Sequence, residues 1–447
     1  MTLPTLPFLA PAPSRAPASG WSSRLEGAVG ALLGAYLFAQ CFGLPVLAVG
    51  PWPLWPGVAD LLFWAALGCA ALYRMAVQPP QRTMWRALLL LGGLSAFAAG
   101  LPLLMGDGHL GTALSFGLFQ LFKVAQLLGM FWMVSRLRLS GALLRRWQRA
   151  ATAGFVVMAL SVVWTFFSPI LPQTLGQVLP RGAGISGPWE SYYLHHETGL
   201  GMVGYNHGHV AAMLLVQAAL VILLRPGRRN LWVLGALVVA SFLSGARAGL
   251  AGSLLFALLQ GGRTPLRSSL AALLALGGAL LALPSLSGDL GGLINRQSTL
   301  LDAADPENLA GRADIWQTYI GALTHDPARL LVGSGFGSGI ANLGSNAHLL
   351  PLQVVYETGV VGLVVLGLTL TLLVRQLQAR ASAPARSRVA LNLLAGLALS
   401  SLAAEVFYPN TAFGTFLPLM GLTYALALAG PTFPTSAFPR AHKEGAS

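Results

Sequence analysis

Charged side chains make up only 9% of the 447 residues, so each one that stands apart from a basic cluster calls for a reason. Arg247 sits in Ser244-Gly245-Ala246-Arg247-Ala248-Gly249, a hinge at a helix end where small neighbours let a bulky ligand approach. It reads either as an interface arginine snorkelling to lipid headgroups or as an anion clamp. Arg312 opens Gly311-Arg312-Ala313-Asp314-Ile315-Trp316-Gln317-Thr318-Tyr319-Ile320, whose apolar residues recur at helical spacing. That stretch predicts a short amphipathic helix at the outer interface, with Arg312 near its N-terminus, where free backbone amides also favour an anion. The bland alternative is a surface pair of Arg312 with Asp314 or Glu307. His348 follows in Asn346-Ala347-His348, at the mouth of a long apolar run that carries Glu357 and Gly359. A histidine of ordinary pKa is mostly neutral at pH 7, so it can take a proton; it can equally be a plain interface residue.

Other polar groups surround this core of candidates. The run Gly333-Ser334-Gly335-Phe336-Gly337-Ser338-Gly339 lacks the Lys-Ser/Thr of a nucleotide-binding loop and reads as a tight turn that brings the chain back over a cavity. Trp189, Tyr192, Tyr193, His195, His196 and Glu197 precede Gly204-Tyr205-Asn206-His207-Gly208-His209. The histidine pairs invite a zinc reading, but no third ligand has convincing spacing, so no metal and no cofactor is expected. The aromatics suit an interfacial belt or sugar stacking. Gln120, Lys123 and Gln126 recur every three residues inside an apolar run. A buried lysine there marks a cavity or an ion pair, with Glu357, Glu405 and Asp60 as candidate partners.

The elements that position these residues follow from composition. The chain is 55% hydrophobic, with a mean hydropathy of +0.67. A soluble domain carries roughly 25% charged residues, so the solvent for most of this chain is lipid and its secondary structure is helical. Apolar runs predict about twelve spans, near 27–49, 56–77, 84–105, 112–135, 150–170, 207–224, 230–246, 249–261, 268–285, 349–374, 389–407 and 411–430. The expected fold is thus an all-α polytopic membrane protein. Residues 1–26 and 431–447 form cytoplasmic tails around one transmembrane domain, 27–430. With the N-terminus cytoplasmic, every basic cluster falls inside, from Arg24 through Arg145, Arg146 and Arg149 to Arg440 and Lys443. Arg181, Arg247, Arg296, Arg312 and Arg329 stay outside. Two outer, periplasmic segments, 171–206 and 286–348, are too long for turns, and the second is expected to carry short amphipathic helices. The net charge of +13 lies in scattered clusters without an aromatic-interleaved stripe, which argues against nucleic acid. Cys41 and Cys69 read as small buried hydrophobes, and no cleavable signal peptide is evident.

The order of these pieces resembles the O-antigen ligase and polymerase superfamily of bacterial lipid-linked glycan transferases. The pieces are Ser244/Arg247, Gly311/Arg312/Trp316, Gly333/Gly335/Gly337, Asn346/His348 and Glu357/Gly359, within residues 204–365. Over 204–212 the chain departs from the family's paired asparagines, having Asn206, His207 and His209. The resemblance implies metal-independent, inverting transfer of a glycan from an undecaprenyl diphosphate carrier to an acceptor hydroxyl, on a lipid A-core or another glycan. It implies His348 as the base and Arg247 with Arg312 as the diphosphate clamp. Asn346, Glu357, Trp316, Lys123 and His209 are expected in support. The expected location is the bacterial inner membrane, with membrane lipids as surroundings.

The chemistry of the residues agrees. A lipid diphosphate is already a good leaving group, so a protein mainly has to neutralise its developing charge, which two arginines do bidentately. The chain has no Asp-x-Asp pair to hold a metal for a nucleotide sugar. Ligase and polymerase differ only in acceptor. The rival from another class is a transporter or lipid-linked-sugar flippase, with Gln120, Lys123 and Gln126 lining its path.

Overall fold

Backbone in lipid must satisfy its own N–H and C=O groups, and the described chain does so almost wholly as helix. A computed structural model describes residues 20–42, 57–72, 82–105, 109–167, 199–202, 207–225, 230–261, 287–298, 312–380, 384–402, 404–409 and 417–429. Its first five helices are α1 (Gly20–Ala39), α2 (Val58–Leu72), α3 (Arg82–Met105), α4 (Leu110–Arg136) and α5 (Gly141–Phe167). Then come α6 (His207–Leu224), α7 (Leu231–Leu243), α8 (Arg247–Gly261) and α9 (Ser287–Ser298). The short helices α10 (Arg312–His325), α11 (Pro327–Val332) and α12 (Ser338–Leu343) lead into α13 (Leu350–Gln378). The series ends with α14 (Pro384–Ser400) and α15 (Leu417–Leu428). No strand occurs among the described residues. Five helices, α3, α4, α5, α6 and α13, are long and apolar enough to cross a membrane; α2, α7 and α15 are apolar but shorter. This is an all-α membrane protein.

A helix that is apolar all round has to be surrounded. α6 meets that condition: it is buried from His209 to Leu224 and packs against α5, α7, α8, α14 and α15. α15 is likewise buried along its whole length, against α4. Small residues bring the helices close, as expected where lipid supplies no hydrophobic drive. A methyl group on Gly252 of α8 would run into the Gly396 carbonyl of α14, and one on Gly249 would meet Ala211 of α6.

The helix ends differ from the expected spans at two places that matter. α5 starts at Gly141, not near 150, because Ser140 caps it through its hydroxyl to the Leu143 amide at 3.2 Å. Arg145, Arg146 and Arg149 therefore stand on the helix itself. α14 begins at Pro384 and stops at Ser400, short of the expected 407; residues 404–409 turn back as buried irregular chain. The expected span 268–285, both tails beyond residues 20 and 429, and the outer segment 171–206 apart from 199–202 lie outside the described residues. So do His195, His196, Asn206, Gly311 and Glu307.

Candidate functional site

The glycine-rich run holds the site together, and it does so by filling two broken helices. α13 is interrupted at Gly359, whose φ of 70° takes it out of helical geometry. The break frees the carbonyls of Tyr356 and Glu357, and the amides of Ser334 and Gly335 donate to them at 2.8 and 2.9 Å. Pro102 inside α3 has no N–H, which leaves the Ala98 carbonyl without its helical donor. The Phe336 amide takes that place at 2.9 Å. Backbone approaches this close exclude side chains: a methyl group on Gly333 would strike the Glu357 carbonyl, and one on Gly337 the Ala113 carbonyl of α4. The three amides from Ser334 to Phe336 are thus spent on framework carbonyls rather than pointed at a phosphate.

Glu357, two residues before the break at Gly359, is fully buried. It accepts from the Tyr408 hydroxyl at 2.6 Å, from Gln120 Nε2 at 3.1 Å and from the Gly339 amide at 3.1 Å. It braces α4, α12, α13 and the 404–409 chain and offers no face to a substrate.

Above this seat lies the turn Ser345–Leu349, pinned mostly through its backbone. Tyr319 of α10 donates its hydroxyl to the Ser345 carbonyl at 2.7 Å, and Trp316 donates Nε1 to the Ala347 carbonyl at 2.8 Å. The Ala347 amide donates to Gln353 Oε1 at 2.7 Å. The His348 amide donates to the carboxylate of Glu405, which is completely buried. With both neighbours fixed, His348 sits at φ 53°, the one described non-glycine residue in left-handed territory. Such a conformation costs about 1–2 kcal/mol and survives only where the surroundings over-determine it. The imidazole projects half-exposed, its Nδ1 3.8 Å from Glu405 Oε1.

One cation, Arg312, acts on this histidine, and a second, Arg247, acts on Arg312. Arg247 is the first residue of α8, delivered by a turn in which Gly245 has φ 73° and the Ser244 hydroxyl donates to the Ser241 carbonyl at 2.7 Å. Arg312 is the first residue of α10, and no ion pair links it to Asp314. Burial, then repulsion from Arg247, lower the Arg312 pKa, while Glu405 opposes them. Burial, then the Arg312 charge, hold His348 below its ordinary value, so the ring is neutral near pH 7. Arg312 thus links Arg247, His348 and Glu405 electrostatically, and among these four described residues two are guanidinium groups and one is a carboxylate. An anion fits that excess, and a neutral imidazole beside it fits proton transfer.

The remaining sequence candidates fall at different distances from this cluster. Asn346 lies in the pinned turn, and its Oδ1 has no hydrogen-bond partner among the described residues. Trp316 supports the turn as described. His209 is buried in the first turn of α6, the end that meets the start of α8. Lys123 does not join the cluster: its Nζ pairs with Asp60 Oδ1 at 2.7 Å, between the rings of Phe119 and Phe122. Gln126 donates to the same carboxylate oxygen at 2.7 Å. Of the two readings open for that lysine, the ion pair is the one realised, with Asp60 rather than Glu357 or Glu405.

Glu405 is the residue that sequence reasoning placed elsewhere, inside a span and as a partner of Lys123. A lone acid in an otherwise apolar run, Leu402-Ala403-Ala404-Glu405-Val406-Phe407, was its available signal. Among the described residues no group of three or more His, Cys, Asp or Glu is arranged to hold a metal ion. Comparison with known protein families and with curated proteins finds no match to this chain.

Proposed function

We propose that the chain is a glycosyltransferase of the O-antigen ligase type, moving a glycan from an undecaprenyl diphosphate carrier to an acceptor hydroxyl at the outer face of the bacterial inner membrane. The observation that carries this reading is that Arg312 lies within electrostatic reach of Arg247, of Glu405 and of a neutral His348 whose amide Glu405 holds. The two guanidinium groups bind the donor diphosphate. The acceptor oxygen attacks the anomeric carbon, the carbon–oxygen bond to the diphosphate breaks, and the lipid diphosphate leaves with the bonding electrons. His348 takes the acceptor's proton. With Nδ1–H turned towards Glu405, Nε2 is the accepting nitrogen, and the carboxylate stabilises the imidazolium that forms. One displacement inverts the anomeric centre. In this reading the chain makes about twelve passes, with both termini cytoplasmic.

Arginine rather than lysine suits the donor end, because a planar fork matches two phosphate oxygens. A transport reading relied on Lys123, Gln126 and Gln120, and these are committed to Asp60 and Glu357. The test is transfer by the purified chain in lipid, from an undecaprenyl diphosphate-linked glycan to lipid A-core or to a second lipid-linked glycan. Product on lipid A-core identifies a ligase, and elongated lipid-linked product a polymerase of the same superfamily. His348→Ala is expected to lose about 10²–10⁴-fold in rate while still binding donor. Wild-type protein that binds donor but transfers to neither acceptor sinks the proposal.

A further inference from the structure

The transfer chemistry leaves one feature without a role: a groove of about 380 Å³ along the seam between α1 and α5. The two helices run parallel, since Gly30 meets Leu143, Gly34 meets Trp147 and Gly154 meets the carbonyls of Leu37 and Phe38. Trp147 forms the floor and donates Nε1 to the Gly30 carbonyl at 2.7 Å, so no polar backbone group is left open there. Ala31, Ala35 and Phe38 form the outer wall and remain exposed, so the groove opens to the outside of the bundle.

The α5 side of the groove is basic along its length. Arg146 lines it, is exposed, and has no hydrogen bond or ion pair among the described residues. Arg145 and Arg149 stand exposed beside it in the first turns of α5, with Arg138 before the helix and Arg24 on α1. α5 has no acidic residue, and the one acid of α1, Glu26, accepts from the Arg138 amide at 2.6 Å. We propose that this groove is a binding site for an anionic glycerophospholipid, one acyl chain lying along Ala35 and Phe38 and the phosphate meeting Arg146. The match is one of shape and charge together: a narrow apolar channel flanked by cations within headgroup reach. A second copy of this chain is the poorer occupant. A two-fold axis along the membrane normal would set the arginine-rich ends of the two copies against each other, with no acid to separate them. The site is independent of the transferase reading.

The test is native mass spectrometry of the full chain, titrated with phosphatidylglycerol and, separately, with phosphatidylcholine. One phosphatidylglycerol is expected to be retained with about fivefold preference or more, the effect of one basic residue near a headgroup. Arg146→Gln, an exposed change, should bring the two lipids level. Ala35→Leu, which fills the groove from its exposed wall, should remove retention of both, with the detergent melting temperature unchanged. Equal binding of the two lipids by the wild type, or retention unchanged in either variant, overturns the proposal. So does a wild-type dimer that Ala35→Leu converts to monomer, because the groove would then belong to a second copy.

Discussion

His348 and Glu405 touch twice: the histidine amide donates to the carboxylate, and the imidazole Nδ1 stands 3.8 Å from the same oxygen. One buried acid thus holds the backbone of the proposed base and lies near its ring. Glu405→Gln keeps an acceptor for the amide and removes the charge. Transfer is expected to fall about 10- to 100-fold, the usual effect of losing an orienting partner. Donor affinity should hold, so a change confined to donor binding would assign Glu405 to the clamp instead.

Arg247→Lys and Arg312→Lys preserve charge and lose the planar fork. Each is expected to weaken donor binding by about 10- to 100-fold, the worth of a charge-assisted hydrogen bond. Binding of a labelled lipid diphosphate to the purified variants measures this directly. Full tolerance of lysine at both positions argues against bidentate recognition.

The acid limb of the rate profile should move in a definite direction. Burial and the Arg312 cation both disfavour the imidazolium, so His348 stays deprotonated down to a pH below its ordinary value near 6.5. Transfer is therefore flat around neutrality and falls as the ring protonates on acidification. Arg312→Gln removes one of the two causes, and His348 then protonates at higher pH. The residual activity of that variant should show its acid limb displaced upwards. A limb that moves down or stays in place separates the pH dependence from this histidine.

Lys123 and Asp60 form an ion pair in the apolar interior, with Lys123 almost completely buried. Breaking such a pair strands a charge, at about 3–5 kcal/mol, while neutralising both partners can be near neutral. Lys123→Met and Asp60→Asn should each lower the melting temperature in detergent sharply, and the double variant should recover most of the loss. Single variants of wild-type stability would place a water-filled cavity there instead.

Much of this architecture was legible because hydropathy reports the solvent of a segment. α6 coincides with its expected span, and the hinge before Arg247 ends α7 and starts α8. Partner choice was not legible. Three acids were open to Lys123, and only the packing of α2 on α4 selects Asp60. Glu405 was hidden for a related reason. Val406 and Phe407 are apolar because they are buried in protein, and hydropathy cannot tell that from burial in lipid. The glycine run was recognised as a turn, but the carbonyls it serves become vacant only through Pro102 and Gly359, which are distant in sequence.

The plug formed by residues 333–337 has a consequence for how such a protein can diversify. Its attachments to α3 and α13 are made by main-chain groups, which are the same whatever side chains surround them. That seat is thereby insulated from changes in neighbouring side chains, whereas the His348 turn is held by the side chains of Tyr319, Trp316, Gln353 and Glu405. In the proposed transferase, residues that meet a glycan can be exchanged to suit a different sugar as long as these four side chains are kept.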